Sequence, residues 1–454
     1  MISGKLTRPD KIFRPTKNYL QKKKDGSGPV ARKLRHHAIT THLCLRNECL
    51  RAGLTAKAEN TLNWSSAPSS LICTPNKPIR KSYLAPKPIP TMDIHRCRFV
   101  SYNPQAINAL AFSHPPSADL AGRGIPTLRL AIGRANGDIE IWNPMRGAWF
   151  QETVMRGGKD RSIEGLAWTL DPQEDGPENV KLPGKLRLFS IGYSTAVTEW
   201  DLENGRPLRH SSGNYGEIWC LAAQPRWQAP KGKTGPAEGE YTGQHLAAGC
   251  ADGSIVILST ADNDLKFQRL MRPSTKRARV LSVTFQNRHT IVAGYADSSI
   301  RLFDIRTGSQ LRTISLGKGP TGGPKELLVW SVKCLPDGTI VSGDSAGEIR
   351  FWDAKNYSLV QRIQGHLADT LDVAVSSNGD TVISGGADQR TVVYRKKEGE
   401  KGDKKGRWAE IMHRRYHTHD VKTFAVYETK DISIAVSGGM HSSPKFEPWL
   451  SLQY

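Results

Sequence analysis

Three places in this 454-residue chain gather residue types that could do chemistry. The first is LGKGPTGGPKE, residues 316–326. Glycine-rich stretches can cradle phosphate on their amides, but the cradle needs a Gly-Lys-Ser/Thr ending and the N-terminus of a following helix. Neither is present, so the stretch reads as a loop between strands. The second is HTH, residues 417–419. Two alternate imidazoles could hold a metal, but His417 reads better as a structural histidine and His419 as an exposed one. The third is the set of seven cysteines, at 44, 49, 73, 97, 220, 250 and 334. Cys44 and Cys49 have no second ligand pair at zinc-like spacing. Cys220 and Cys250 sit in apolar runs. An odd, scattered set reads as buried thiols in a reducing compartment, not as a disulfide framework. The sequence has no G-x-S-x-G, Walker A loop, H-E-x-x-H or paired C-x-x-C. No catalytic, cofactor-binding or metal-binding residue is therefore assigned, and neither an enzyme nor a small-molecule substrate is expected. Acidic residues such as Asp252 and Asp297 read as turn formers.

Charge gives a second indication. The net charge is +21, which suits polyanionic or acidic partners. Residues 1–91 hold 18 Lys and Arg against 4 Asp and Glu, so two thirds of the excess lies there. That stretch lacks sustained periodicity, ends in the linker-like APKPIP, and reads as a disordered basic extension. Met92 would make a natural start. No apolar run is long enough to span a membrane, and the N-terminus lacks the apolar segment of a secretory signal. Basic segments lie at 22–37, 274–280 and 395–407. They read either as solvated loops or as phosphate contacts and import signals. No aromatic residues interleave with them, which argues against a base-stacking platform.

These residues must be positioned by something, and the chain supplies it by repetition. The stretch LRLAIGRANGDIEIWNP, residues 128–144, spells a strand, a tight turn and a second strand ending in Trp142. A short apolar strand precedes it, INALAFS at 107–113. The same pattern returns with IEGLAWT (163–169), IWCLAAQ (218–224), VLSVTF (280–285), VWSVKC (329–334), LDVAVS (371–376) and VKTFAVY (421–427). A period of about 40 to 60 residues is the signature of a repeat architecture. Within six copies one spacing is constant. Gly137 precedes Trp142 by five places, as Thr195 does Trp200, Gly253 Leu258, Ser298 Phe303, Gly347 Trp352 and Gln389 Tyr394. Sheets this short cannot bury both faces alone, and stacking them radially gives an all-β propeller of about seven blades over residues 92–454. Trp142, Trp200, Phe303 and Trp352 are expected to pack between blades. The last copy looks irregular, because Pro444 and Pro448 fall where its third strand should run. HRCRFVSY (95–102) has the alternation to complete that blade.

The dipeptides WN, WD, FD and WD closing copies one, two, four and five resemble the WD40 family. In the sixth copy His366, Ser384 and Asp388 stand at the positions of that family's side-chain network. Tyr394 replaces the preferred Trp, so an incomplete network is expected there. A closer resemblance rests on MDIHRCRFVSYNPQAINALAFS (92–113), KDRSIEGLAW (159–168), LRLFSIGYSTAVTEWDLENGRPL (186–208) and VWSVKCLPDGTIVSGDSAGEIRFWD (329–353). These resemble the U3 small nucleolar RNA-associated protein 4 (cirhin) family. That resemblance implies a non-catalytic nucleolar scaffold of the small-subunit processome, acting in pre-18S ribosomal RNA processing and tied to ribosomal DNA transcription. The partners it implies are other WD40 processome proteins, the U3 RNP and the 5′ external transcribed spacer of pre-rRNA. Members of the family carry a second propeller after the first. A generic WD40 adaptor, such as a ubiquitin-ligase substrate receptor or chromatin reader, is the competing reading. Loops on the ring faces are expected to make the contacts, with Lys159, Arg161, Lys276, Arg277 and Arg279 as candidates for phosphate or acidic groups.

Overall fold

The computed structural model describes residues 105–440 apart from internal stretches, together with the strands His95–Arg96 and Lys445–Pro448. The basic extension 1–91, Lys159, the basic segment 22–37 and most of 395–407 lie outside the described residues.

Every described element of regular structure is a strand. Seven four-stranded antiparallel sheets and one two-stranded pair, Glu174–Asp175 with Lys181–Leu182, account for them among the described residues. The fifth sheet shows why the repeat folds this way. Its inner strand, Val329–Cys334, pairs with Ile340–Asp344, which is buried at every position. Glu348–Trp352 follows after a turn, and Leu359–Gln364 lies at the half-exposed outer edge. The turn needs a left-handed residue, and Gly347 supplies it at φ 78°. Gly137 and Gly253 do the same at 86° and 88°. Ser298 and Gln389 occupy the equivalent turn positions with positive φ and no such freedom.

The inner strands are Ile107–Phe112, Gly165–Leu170, Ile218–Ala223, Val280–Phe285, Val329–Cys334, Thr370–Val375 and Val421–Glu428. Each packs against the inner strand of the next sheet, and the last packs against the first. The sheets therefore form a closed cycle, and the apolar clusters lie between neighbouring sheets. Trp142 is buried with Ile107 and Leu130 of its own sheet and Ala425 and Val436 of the last. Trp200 packs with Ala131 and Ile139 of the first sheet, and Trp352 with Val292 and Ile300 of the fourth. Phe303 is fully buried.

Two expectations are corrected. Pro448 does not abolish the third strand of the last copy: Lys445–Pro448 pairs with Ser433–Gly439, and Pro448 stands opposite Ile434 at the end of that pairing; Pro444 lies outside the described residues. A proline there removes a donor only where the ladder stops. The outer strand of this sheet is His95–Arg96, in register with Phe446 and Lys445.

The second correction concerns the sixth sheet, whose network is complete. His366 Nε2 lies 2.6 Å from Ser384 Oγ, and His366 Nδ1 lies 2.9 Å from Asp388 Oδ1. The Tyr394 hydroxyl lies 3.3 Å from Ser384 Oγ, so the phenol takes the place of the indole. Trp352 and Trp200 instead donate directly to Ser342 and Ser190 at 3.0 and 2.8 Å. Trp142 donates to Glu140, which is also paired with Arg134 at 2.7 Å.

Candidate functional site

A local irregularity of the inner strands builds the site. In six of the seven sheets the pairing of the first two strands shifts register at the same place. The second residue of the inner strand is left over: Asn108, Trp219, Leu281, Trp330, Leu371 and Lys422. Glu164, just before Gly165, fills that place in the second sheet. A bulge re-aims its side chain and ends regular pairing. All seven residues line one central channel of about 510 Å³. Its lining is thus a ring of amide, carboxylate, ammonium, aromatic and aliphatic groups drawn from every sheet.

The polar members are tied together. Asn108 Nδ2 donates to Glu164 Oε1 at 2.9 Å and to Ser162 Oγ at 2.8 Å. Lys422 Nζ reaches Glu164 Oε2 at 2.9 Å, so three consecutive sheets share one network. Next to them, Asp372 accepts from Ser331 Oγ and from the Phe424 amide. Trp330 Nε1 donates to Asp369 at 2.7 Å, and Trp219 Nε1 to Glu217 at 3.1 Å.

An adjoining cleft of about 660 Å³ opens where the inner strands begin, lined by Arg161, Ser162, Tyr193, Ser194, Thr198 and His210 among others. Tyr193 lines both spaces and is 56% exposed. Its ring meets Trp219 edge-on, with centroids 5.7 Å apart. Burial of the hydroxyl, then the charges of Glu164 and Glu217, hold the phenol above its usual titration range. Arg279 lies over the other aromatic member, its guanidinium carbon 4.0 Å from the Trp219 ring centroid.

The sequence candidates have separate fates. Arg161 is exposed in the cleft, and Arg279 is exposed and stacked on Trp219. Arg277 is exposed. Lys276 is engaged by Glu326 at 2.6 Å. The expectation that no aromatic group accompanies these basic residues holds along the chain and fails in space, because Trp219 is 60 residues from Arg279 in sequence and in contact with it in the fold. No sequence motif marks Tyr193, Trp219, Trp330 or Lys422. The signal for the last three is the second position of INAL, IEGL, IWCL, VLSV, VWSV and VKTF, where the residue changes while its neighbours repeat.

Most of the other groups singled out by type are buried or hydrogen-bonded within the fold. Burial pushes the Cys250 thiol up to about 11 and the Cys334 thiol up to about 12, far from the thiolate a nucleophile needs. His417 is buried, 2.8 Å from Ser437 Oγ, whereas His419 is exposed. The glycine-rich loop is followed by a strand, Val329–Cys334, and not by a helix. Asp252 accepts from the Ser254 amide and hydroxyl, and Asp297 from Ser299 and Arg301. Among the described residues no group of three or more His, Cys, Asp or Glu side chains could hold a metal ion.

Residues 311–353 and 357–395 match the WD40 family, WD domain, G-beta repeat. Over 352 residues, 77% of its length, the chain is 41% identical to U3 small nucleolar RNA-associated protein 4 of Schizosaccharomyces pombe. Identity is 36% over 78% of the chain with the Saccharomyces cerevisiae protein of that name, and 28% over 78% with the Homo sapiens homolog. The chain spans a little under half the length of these relatives, 44%, 42% and 45% respectively.

Proposed function

This WD40-repeat β-propeller is homologous to U3 small nucleolar RNA-associated protein 4 of yeasts and human, and we propose that it is a non-catalytic scaffold in the assembly around U3 RNA. In this reading the sheets are seven blades, closed when the strand His95–Arg96 completes the last. The protein works in the nucleolus on pre-18S ribosomal RNA, beside other WD40 proteins of the small-subunit processome, with the 5′ external transcribed spacer as its RNA neighbour. A link to ribosomal DNA transcription belongs to the same reading.

The similarity over more than three quarters of the chain supports the assignment most strongly. The channel mouth supports the scaffold role. Glu164 is bonded to Asn108 and Lys422, and the Trp219 and Trp330 indoles to Glu217 and Asp369, an arrangement that suits a recognition surface. Arg161, Arg277 and Arg279 are the contacts we assign to phosphate or acidic side chains of partners, with Lys159 the candidate beside Arg161 in sequence. Affinity capture from nucleolar extract tests this reading. It should recover other processome propellers together with precursor ribosomal RNA, and recovery of neither would contradict it.

A further inference from the structure

A second cleft lies at the opposite ends of the inner strands, between the third and fourth sheets, with a volume of about 250 Å³. It is lined by Arg269, Arg288, Arg306, His245, His289 and Tyr241, with Gln224, Gln268, Ile257 and Ile305 completing the wall. Among the described residues no carboxylate belongs to that lining. The channel mouth is different, because there Glu164, Asp372 and Asp420 face Lys333 and Lys422.

The cleft is assembled with care. Arg288 donates to three carbonyls, Pro225 at 2.5 Å, Gly243 at 2.9 Å and Tyr241 at 3.1 Å, which fixes the position of its guanidinium. Arg269 is braced by the Thr307 carbonyl at 3.0 Å. Arg306 is paired with Asp304 at 2.9 Å and contributes less field. His245 is held by Gln224 and lies edge-on to Tyr241, with centroids 4.8 Å apart. Burial and then the charge of Arg288 push its imidazole below the usual range, so at neutral pH it offers a neutral ring beside the cations. Tyr241 is 36% exposed at the edge.

We infer that this cleft binds a phosphodiester of single-stranded RNA, with Arg269 on the phosphate oxygens, the fixed charge of Arg288 beside them, His289 at the rim and Tyr241 against a base. The planar guanidinium of Arg269 matches phosphate oxygens, and a half-exposed aromatic ring beside it suits an unpaired nucleotide. Contacts of this kind position the RNA without reading its sequence. The choice of RNA over another phosphate ligand rests on the proposed association with U3 RNA, whereas the anion site itself rests on the cleft.

The test uses the purified full chain and a short oligouridylate carrying 5-iodouridine. Photo-crosslinked peptides are mapped by mass spectrometry, and affinity is measured across a salt series for the unaltered protein, Arg269→Gln/His289→Gln and, as a control on the outer strand of the sixth sheet, Arg407→Gln/Arg414→Gln. Adducts at Tyr241 or His245 are expected. Arg269→Gln/His289→Gln should weaken binding about tenfold and flatten the salt slope by about 0.7 for each phosphate no longer neutralised. Arg407→Gln/Arg414→Gln should leave the Tyr241 and His245 adducts in place. Should the first variant unfold, the adduct map and His289→Gln alone, at a solvent-facing position, still decide. Adducts confined to other surfaces, an unchanged slope, or no binding would overturn the inference. Capture of U3 RNA from cells alongside any of those results would leave the proposed function standing.

Discussion

Arg279 stacks on Trp219 with 4.0 Å between its guanidinium carbon and the ring centroid, joining the loop before the fourth sheet to the bulge of the third. At an exposed site such a pair contributes about 0.5–1 kcal/mol, so it orders the channel mouth more than it holds the fold. Arg279→Ala should therefore shift a urea unfolding midpoint only slightly while reducing recovery of partners in affinity capture. Unchanged recovery would remove the channel mouth from the interface.

Asp388 predicts a pH dependence. Burial acts to raise its carboxyl pKa, but the hydrogen bond from His366 and the amides of Leu367 and Arg390 outweigh burial and hold it at about 2, against an ordinary 3.8. A group depressed in the folded state gives stability that is complete above its unfolded pKa and is lost as pH falls through its folded one. Denaturant midpoints should therefore fall between about pH 4 and about pH 2. Asp388→Asn should lower the midpoint at neutral pH and flatten that part of the profile. An identical acid limb in the variant would show that this carboxylate does not set it.

Gln389 stands at φ 69° in the turn where other sheets use glycine. A side chain in that conformation costs about 1–2 kcal/mol, part of which glycine returns to the unfolded state as extra chain entropy. Gln389→Gly should raise stability by about 0.5–1 kcal/mol in chemical denaturation, with no change in partner capture. A loss of stability would mean that the Gln389 side chain contributes more than its backbone strain costs.

Tyr394 and Gly365 test the substituted network. A Cβ at Gly365 would overlap the Tyr394 hydroxyl. Gly365→Ala should cost about 1–3 kcal/mol, and Tyr394→Phe should recover much of that loss while costing about 1 kcal/mol alone. Additive effects in the double-mutant cycle would show that the hydroxyl does not occupy the space beside Gly365.

Much of this architecture is readable in sequence, because the five-place interval from turn to aromatic is a local property of each hairpin. The same interval places Trp142, Trp200, Phe303 and Trp352 in the core. Tyr394 is readable as a substitution but not as a replacement, since only the fold shows that a phenol at the Trp position still reaches Ser384. Pro448 misleads for a different reason: a missing donor matters inside a ladder and matters little at its end. The channel ring is hidden because a bulge changes which way one residue points without changing the apolar pattern around it. The basic cleft is hidden more deeply. Arg269, Arg288 and His245 come from separate turns and strands, so no charge run marks them, whereas the visible run at 274–280 places Lys276 against Glu326.

The most direct measurement is crosslinking of the tagged protein to RNA in cells, followed by sequencing of the bound fragments. A scaffold of the U3 assembly predicts reads concentrated on the 5′ external transcribed spacer of pre-rRNA and on U3 RNA. Reads spread at background over cellular RNA, from a protein that copurifies with a ubiquitin ligase or chromatin instead, would contradict it.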